Sequence, residues 1–273
     1  MLYKSGCMNH LDQIPSVAGD VILAFRAKGH ALTEQLLPAG EVPYWRTVIS
    51  EAAYKNNRET RKMEERDTYG KAFLQIMNLW EVDERVRAFV LARRFAGVAA
   101  QLLGVDNVRL YHDQALYKEA GGGLTPWHQD QYYWPLSTPR TVTMWMPLVD
   151  IDEDMGMLTF ASGSQLDGRV GNIAISDESE EMLETHIGSK GYPIHRAKQM
   201  RAGDATWHYG WTLHSAPGNL SDATREVMTI IYFADGATVT DPINTHQEND
   251  RQRWLRGVAP GEFATSDLNP LLL

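Results

Sequence analysis

The sequence contains one cysteine, Cys7, among 273 residues, so it has no internal disulfide and no zinc site built on several thiolates. It has no apolar run near the roughly 18 residues that suggest a membrane-spanning helix. The opening MLYKSGCMNHLDQIP lacks both the apolar stretch and the small-residue cleavage site of a secretory leader, so the expected compartment is a reducing cytoplasm. Positive charge is in deficit: Lys plus Arg number 26 against 35 Asp plus Glu, a net charge of −9. A surface of that sign repels phosphate backbones and anionic lipid, which argues against nucleic acid as a partner. Internal repeats, low-complexity tracts and Pro/Ser-rich linkers are also missing, so the 273 residues read as one domain. What remains is ordinary globular usage, 43% hydrophobic and 22% charged, enough to bury a core without staples.

The pattern changes along the chain. Up to about residue 104 it is mainly helical, and the clearest segment runs from Asp83 to Leu103. There Asp83 is placed to cap the start, Leu91, Phe95, Val98 and Leu102 form one stripe, and Gly104 suits a left-handed C-terminus. A helix of this kind should pack on something flat. From about 105 to 240 come short β-rich runs between Gly, Pro, Asn and Asp clusters, including NVRLYHDQALYK, RTVTMWMPLV, GMLTFA, ATWHYGWTL and REVMTIIYFA. Long crossover helices between these runs are missing, which disfavours a Rossmann-type sheet and points to a jelly roll preceded by helices. Residues 241–273 form a C-terminal extension. The polar stretch SDESEEMLETHIGSKGYPIHRAK reads as a long connection, either a functional lid or a mobile insertion.

Three features carry chemistry together: Trp127-His128-Gln129-Asp130, His214 in TLHSAPGN, and Arg225 in ATREVMTI. An H-x-D tripeptide alone is short enough to be incidental. In an extended segment, however, residues i and i+2 share a face, so His128 and Asp130 could offer an imidazole and a carboxylate to one metal ion. Nine histidines leave the third ligand open on spacing alone. His214 ends a β-rich run where a jelly-roll strand would bring it across the barrel mouth; His208 in TWHYGW competes, and His112, His186 and His195 have less company. Two histidines and one carboxylate on one side of an ion suit Fe(II) and leave positions open for a cosubstrate and dioxygen. Arg225 could be a surface cation; held on a strand, its planar guanidinium would also suit a dicarboxylate at the end remote from the metal.

Taken together, LYHDQALYKEAGGGLTPWHQDQYYWPL, VTMWMPLVDIDEDMGMLTFASGSQ and GDATWHYGWTLHSAPGNLSDATREVMTIIYFADG resemble the phytanoyl-CoA dioxygenase family of Fe(II)- and 2-oxoglutarate-dependent oxygenases. FRAKGHALTEQLLPAGEVPYWRTVISEA is similar to that family's opening helix, short strand and second helix. The resemblance implies a double-stranded β-helix in which His128, Asp130 and His214 hold iron and Arg225 pairs with the distal carboxylate of 2-oxoglutarate. It places Gln114 and Trp145 along the cosubstrate pocket, with Thr125 and Asn78 weaker candidates. It further implies hydroxylation of a small molecule with release of succinate and CO2. Among Gln131, Tyr132, Trp134, His208 and Trp211, some are expected to line an apolar substrate cavity. Two departures stand out: Ala161-Ser162-Gly163-Ser164-Gln165 replaces a family turn that ends in His, and Ala216 stands where many members place a cosubstrate-binding Ser. Asp130 argues against the halogenase branch, whose members carry a small residue there. A cupin-type isomerase or hydrolase using the same three ligands, or an inactive jelly-roll binding module, are the competing readings; oligomeric state is not legible.

Overall fold

A computed structural model describes residues 10–273, and Cys7 lies outside them. After a helical turn at His10–Leu11 comes α1 (Gly19–Lys28), which ends at Gly29 with φ +83°, a left-handed value that glycine adopts without strain. Strand β1 (His30–Thr33) and α2 (Val42–Asn56) follow. In α2 the buried residues Trp45, Val48, Ile49, Ala52 and Ala53 recur at helical spacing, and Pro43 sits in the first turn, where its missing N–H costs nothing. A short α3 (Thr68–Ala72), capped by the Asp67 carboxylate, leads into β2 (Leu74–Met77).

The stretch expected as one helix from Asp83 to Leu103 is two: α4 (Glu84–Val90) and α5 (Arg93–Leu103). Asp83 caps the first through the backbone N–H groups of Arg85 and Val86, and Gly104 closes the second at φ +68°. Between them Ala92 is extended, at φ −61° and ψ 125°. The break lets each piece bury its own face. Val86, Phe89 and Val90 of α4 turn inward beside α2, while Phe95, Val98 and Leu102 of α5 lie across the sheet formed later in the chain. Leu91, expected within the stripe, is only half-buried at the corner.

The remaining strands are β3 (Val108–Lys118), β4 (Thr125–His128), β5 (Thr141–Pro147), β6 (Ile151–Asp152), β7 (Thr159–Ala161), β8 (Ile194–Arg196), β9 (Gln199–Met200), β10 (Ala205–Tyr209), β11 (His214–Ala216) and β12 (Arg225–Ala234). A six-stranded sheet has the order β1-β10-β5-β12-β3-β2, a four-stranded one β4-β11-β7-β8, and β6 and β9 pair separately, all antiparallel. This is a double-stranded β-helix with flanking helices. The helical N-terminal part is not a separate layer, because β1 and β2 form the two edges of the large sheet.

Strand alternation gives the large sheet two different faces. Ala115, Tyr117, Met144, Met146, Met228 and Ile230 enter the main core with the helices. Their neighbours one residue away, among them Gln114, Thr143, Trp145 and Thr229, face a cavity shared with the four-stranded sheet. All ten residues of β12 are buried, as a strand covered on both faces requires.

The polar stretch read as a connection is a helix for most of its length, α6 (Asp177–Lys190). Ser176 and Ser179 cap it reciprocally, at 3.1 and 3.0 Å, and Gly191 ends it at φ +68°. Leu183 and Ile187, one turn apart, bury against Trp127, Ala161 and Leu213. The last helix, α7 (Thr245–Trp254), lies in the C-terminal extension, which also contributes Trp254, Leu255 and Leu268 to the core. Among the described residues no helix is long and apolar enough to cross a membrane. Because Leu183 is enclosed in its own small cluster, Leu183→Ala is expected to cost about 2–5 kcal/mol in urea unfolding; a loss under about 0.5 kcal/mol, the range of an ordinary surface change, would mean α6 does not pack there.

Candidate metal centre

His128 ends β4 and His214 begins β11, and the two residues are direct partners across the antiparallel ladder, with ring centroids 4.0 Å apart. Gln129 continues extended, and Asp130 opens a single 3-10 turn rather than a further stretch of strand. Its carboxylate nevertheless returns to the histidines: Oδ1 lies 3.5 Å from His128 Nε2 and 3.6 Å from His214 Nε2. One ligand atom from each of the three falls within 4.8 Å of the others.

The surroundings select the ligating forms. His128 Nδ1 donates to the Pro126 carbonyl at 2.8 Å and His214 Nδ1 to that of Thr212 at 2.9 Å, which leaves both Nε2 lone pairs for an ion. Burial, reinforced by His128 and His208, holds His214 well below the usual imidazole range and therefore neutral. Burial alone would raise Asp130, but its closeness to His214, His128 and His208 outweighs it, and the carboxyl is held well below its ordinary range. Its second oxygen, Oδ2, accepts from Thr143 Oγ1 at 2.9 Å and lies 3.2 Å from His208 Nε2. His208, the competing ligand, thus holds the ligand carboxylate, and Oδ1 is left for the metal.

A cavity of about 260 Å3 runs from this triad between the sheets. Arg225 lines it, only 2% exposed, and forms no ion pair with a carboxylate among the described residues. One guanidinium N–H donates to the Gly156 carbonyl, Nε has no partner, and the group lies 5.2 Å over the Trp145 ring. Burial pushes Arg225 down to about 9. Its ladder partner is Lys118, which is fully buried and donates to the Gly123 carbonyl and, at 3.3 Å, to Thr125 Oγ1. Burial, with Arg225 adding repulsion, pushes Lys118 down from 10.5 to about 6. A buried guanidinium whose one acceptor among the described residues is a carbonyl, beside an amine held largely uncharged at neutral pH, leaves the pocket short of negative charge, which fits an anion such as a carboxylate.

The structure brings Gln114, Trp145 and Thr125 to the wall of this cavity. Gln114 Oε1 accepts from Gln75 Nε2 at 3.1 Å, and Gln75 in turn accepts from the Tyr69 hydroxyl at 3.0 Å. Asn78 does not reach the cavity; it sits at φ +51°, bonded to Glu81 and to the backbone of Asp113, where it shapes the turn after β2. Of the aromatic clusters, Trp134 and His208 line the cavity, as does Tyr133, whereas Gln131, Tyr132 and Trp211 do not. Gln131 is instead tied to Thr141 and to the Thr138 carbonyl. Thr143 and Lys118 escaped sequence reasoning although a signal existed: they lie two residues from Trp145 and four from Gln114, on the same strand faces.

A jelly roll with two histidines and one carboxylate at one end of a cavity, and an unpaired buried cation in its wall, has the donor set of a non-haem iron oxygenase. The chain belongs to the phytanoyl-CoA dioxygenase (PhyH) family, whose pattern matches residues 25–227. It is 31% identical over 156 residues to phytanoyl-CoA dioxygenase domain-containing protein 1 of Danio rerio, covering 54% of this chain and 53% of the relative, so the match spans about half the relative's length. It is 26% identical over 183 residues to L-proline trans-4-hydroxylase of Streptomyces griseoviridis, covering 60% of this chain and 68% of that protein. Among solved structures, the non-heme alpha ketoglutarate dependent carbocyclase SnoK from nogalamycin biosynthesis superimposes with a TM-score of 0.77 at 23% identity, over 94% of this chain and 97% of SnoK.

Two outcomes test this site. Thr143→Val removes one of the two contacts to Asp130 Oδ2 and is expected to weaken anaerobic Fe(II) binding about tenfold, the smaller end of what loss of an outer hydrogen bond costs a metal site; unchanged affinity would mean His208 alone sets the carboxylate. Lys118 takes up a proton at about 6 in the fold but near 10.5 when unfolded, so the unfolded state binds more protons across that window. Wild-type stability should therefore fall as pH drops from about 10 toward 6, and Lys118→Met should flatten that slope in pH-dependent urea titrations.

Proposed function

We propose that this protein is an Fe(II)- and 2-oxoglutarate-dependent oxygenase that hydroxylates an unactivated C–H bond of a small molecule, with release of succinate and CO2. The observation that carries the reading is the sharing of one cavity by the His128–Asp130–His214 set and the unpaired Arg225. A metal-only isomerase or hydrolase has no use for a buried guanidinium without a counter-ion, which disfavours the cupin-type alternative.

In this reading His128, Asp130 and His214 hold iron through Nε2, Oδ1 and Nε2, and Arg225 receives the distal carboxylate of 2-oxoglutarate. Bound together, iron and 2-oxoglutarate supply dioxygen activation coupled to oxidative decarboxylation. The chain supplies the rest. Thr143 and His208 keep Asp130 from turning its second oxygen to the ion. Arg225 and Trp145 fix the cosubstrate's far end, with Thr125 and Gln114 on the adjoining walls, and Lys118 holds the Thr125 hydroxyl from behind. Because the walls come from β2, the strands of the two sheets and α7, all three stretches of the chain act as one oxygenase domain. A reducing cytoplasm would keep the ion ferrous. Hydroxylation is the simplest outcome of such a site; ring closure, the activity named for SnoK, depends on which substrate carbon is held nearest the metal.

Anaerobic titration of the metal-free protein with Fe(II) and 2-oxoglutarate should develop the visible charge-transfer band of the chelated cosubstrate, and Arg225→Ala should require at least about tenfold more 2-oxoglutarate to reach it, the loss expected for a charge-assisted carboxylate pair. Metal binding without a band at saturating 2-oxoglutarate would overturn the reading and favour the metal-only enzyme.

A further inference from the structure

Four charged side chains line the cavity: Asp130, Arg225, Asp250 and Arg253. The first two belong to the metal and cosubstrate end. The second two lie on α7, together with Asn249, and because Asn249 and Arg253 are exposed, α7 forms the solvent-facing end. Asp250 and Arg253 are three residues apart on one helix, a spacing at which opposite charges commonly pair. Here they do not. Arg253 lies over the Trp254 ring at 4.2 Å and forms no ion pair among the described residues. Asp250 Oδ2 accepts from the Tyr111 hydroxyl at 3.0 Å, and among the described residues no cation pairs with the carboxylate. Burial pushes Asp250 up to about 7, although Tyr111, Arg253 and Trp254 pull the other way, so the site is short of a positive partner. Aromatic walls stand beside it: Trp254, Tyr133 and Trp134 line the same end, and such faces attract a cation as well as hydrocarbon.

Between this end and the triad lies His112, which is buried, lines the cavity and has an Nδ1 atom without a partner. It stands in a row across the large sheet with Ile231, Thr143 and His208, so it shares a sheet level with the groups that hold Asp130. The apolar side of this passage and its modest volume leave room for a small ligand rather than a long acyl ester.

Resting on the reading that this cavity is the active site, we propose that its outer half receives a small zwitterion, a free α-amino acid or close derivative. The protonated amine pairs with Asp250, the carboxylate with Arg253, and the hydrocarbon portion passes His112 toward the triad. Opposite charges one helical turn apart on the cavity wall suit a small ligand that carries both an amine and a carboxylate. A neutral aliphatic substrate would leave both charges unused, and a dianion would face Asp250 unpaired.

The test is calorimetric binding of a panel of free proteinogenic amino acids, each alongside its N-acetyl and methyl-ester derivative, to the metal-free protein and to the anaerobic Fe(II)–2-oxoglutarate form. At least one free amino acid should bind, and removing either charge should weaken it about tenfold or more, the cost of an unpaired charged contact. Asp250→Asn should abolish discrimination against the N-acetyl form while keeping that against the ester, and Arg253→Gln should do the reverse; a purely structural role for either residue would not separate the two. Binding of no panel member, or equal binding of derivatives and parent by the wild-type protein, overturns the proposal whatever the variants do. A charge-transfer band with no amino-acid binding sinks this inference and leaves the oxygenase reading standing, and amino-acid binding without a band does the opposite.

Discussion

The fold is organised around an uncompensated positive charge. Arg225 and Lys118, partners on adjacent strands, are buried with backbone and hydroxyl oxygens as their only acceptors among the described residues. Burying a cation without a counter-ion is among the costlier arrangements a protein can keep, and the depressed proton affinities of both groups express that cost. It is tolerable because the two residues stand near the ends of the long central strands β3 and β12, where the ladder leaves the backbone no freedom to withdraw them. Arg225, with Nε unpartnered, is suited to receive a carboxylate there.

The same ladder sets the rest of the site. Pairing of β4 with β11 places His128 opposite His214, and the carbonyls of Pro126 and Thr212 orient each ring. Neither contact requires metal, so the ligands are preorganised. Behind them α6 acts as a clamp: Glu180 accepts from the Trp127 N–H at 2.7 Å and Ser179 donates to the Trp127 carbonyl at 3.2 Å, which fixes the residue preceding His128. On the large sheet, side chains alternate between a helix-covered core and the cavity. The break between α4 and α5 serves the first of these faces, since an unbroken helix could not lie along both α2 and the sheet.

Much of this was legible in the residues. The β-rich runs from about 105 to 240 and the caps at Asp83 and Gly104 follow from local pattern, because strand alternation and helix ends are governed by near neighbours, whereas the set His128, Asp130, His214 and Arg225 came from the family resemblance. The α6 helix was also present locally, in the Ser176–Ser179 cap, the Leu183–Ile187 pair and Gly191, but its polar composition masked it. Composition describes the solvent face; four turns of helix need only a narrow apolar stripe to dock.

What the sequence by itself determined is the set of ligand types and the periodicities that carry them to a common face. Tertiary structure decided which histidine of nine serves and which supports, since His208 and His214 differ in whether the ring meets Asp130 through Oδ2 or Oδ1. It also decided that Lys118 stands beside Arg225, that Asn78 shapes a turn away from the cavity, and that Asp250 and Arg253, far along the chain in a helix without a strong apolar face, form part of its wall. These are contacts between residues distant in sequence, fixed by strand register and by the closing of one layer over another, and no local pattern encodes them.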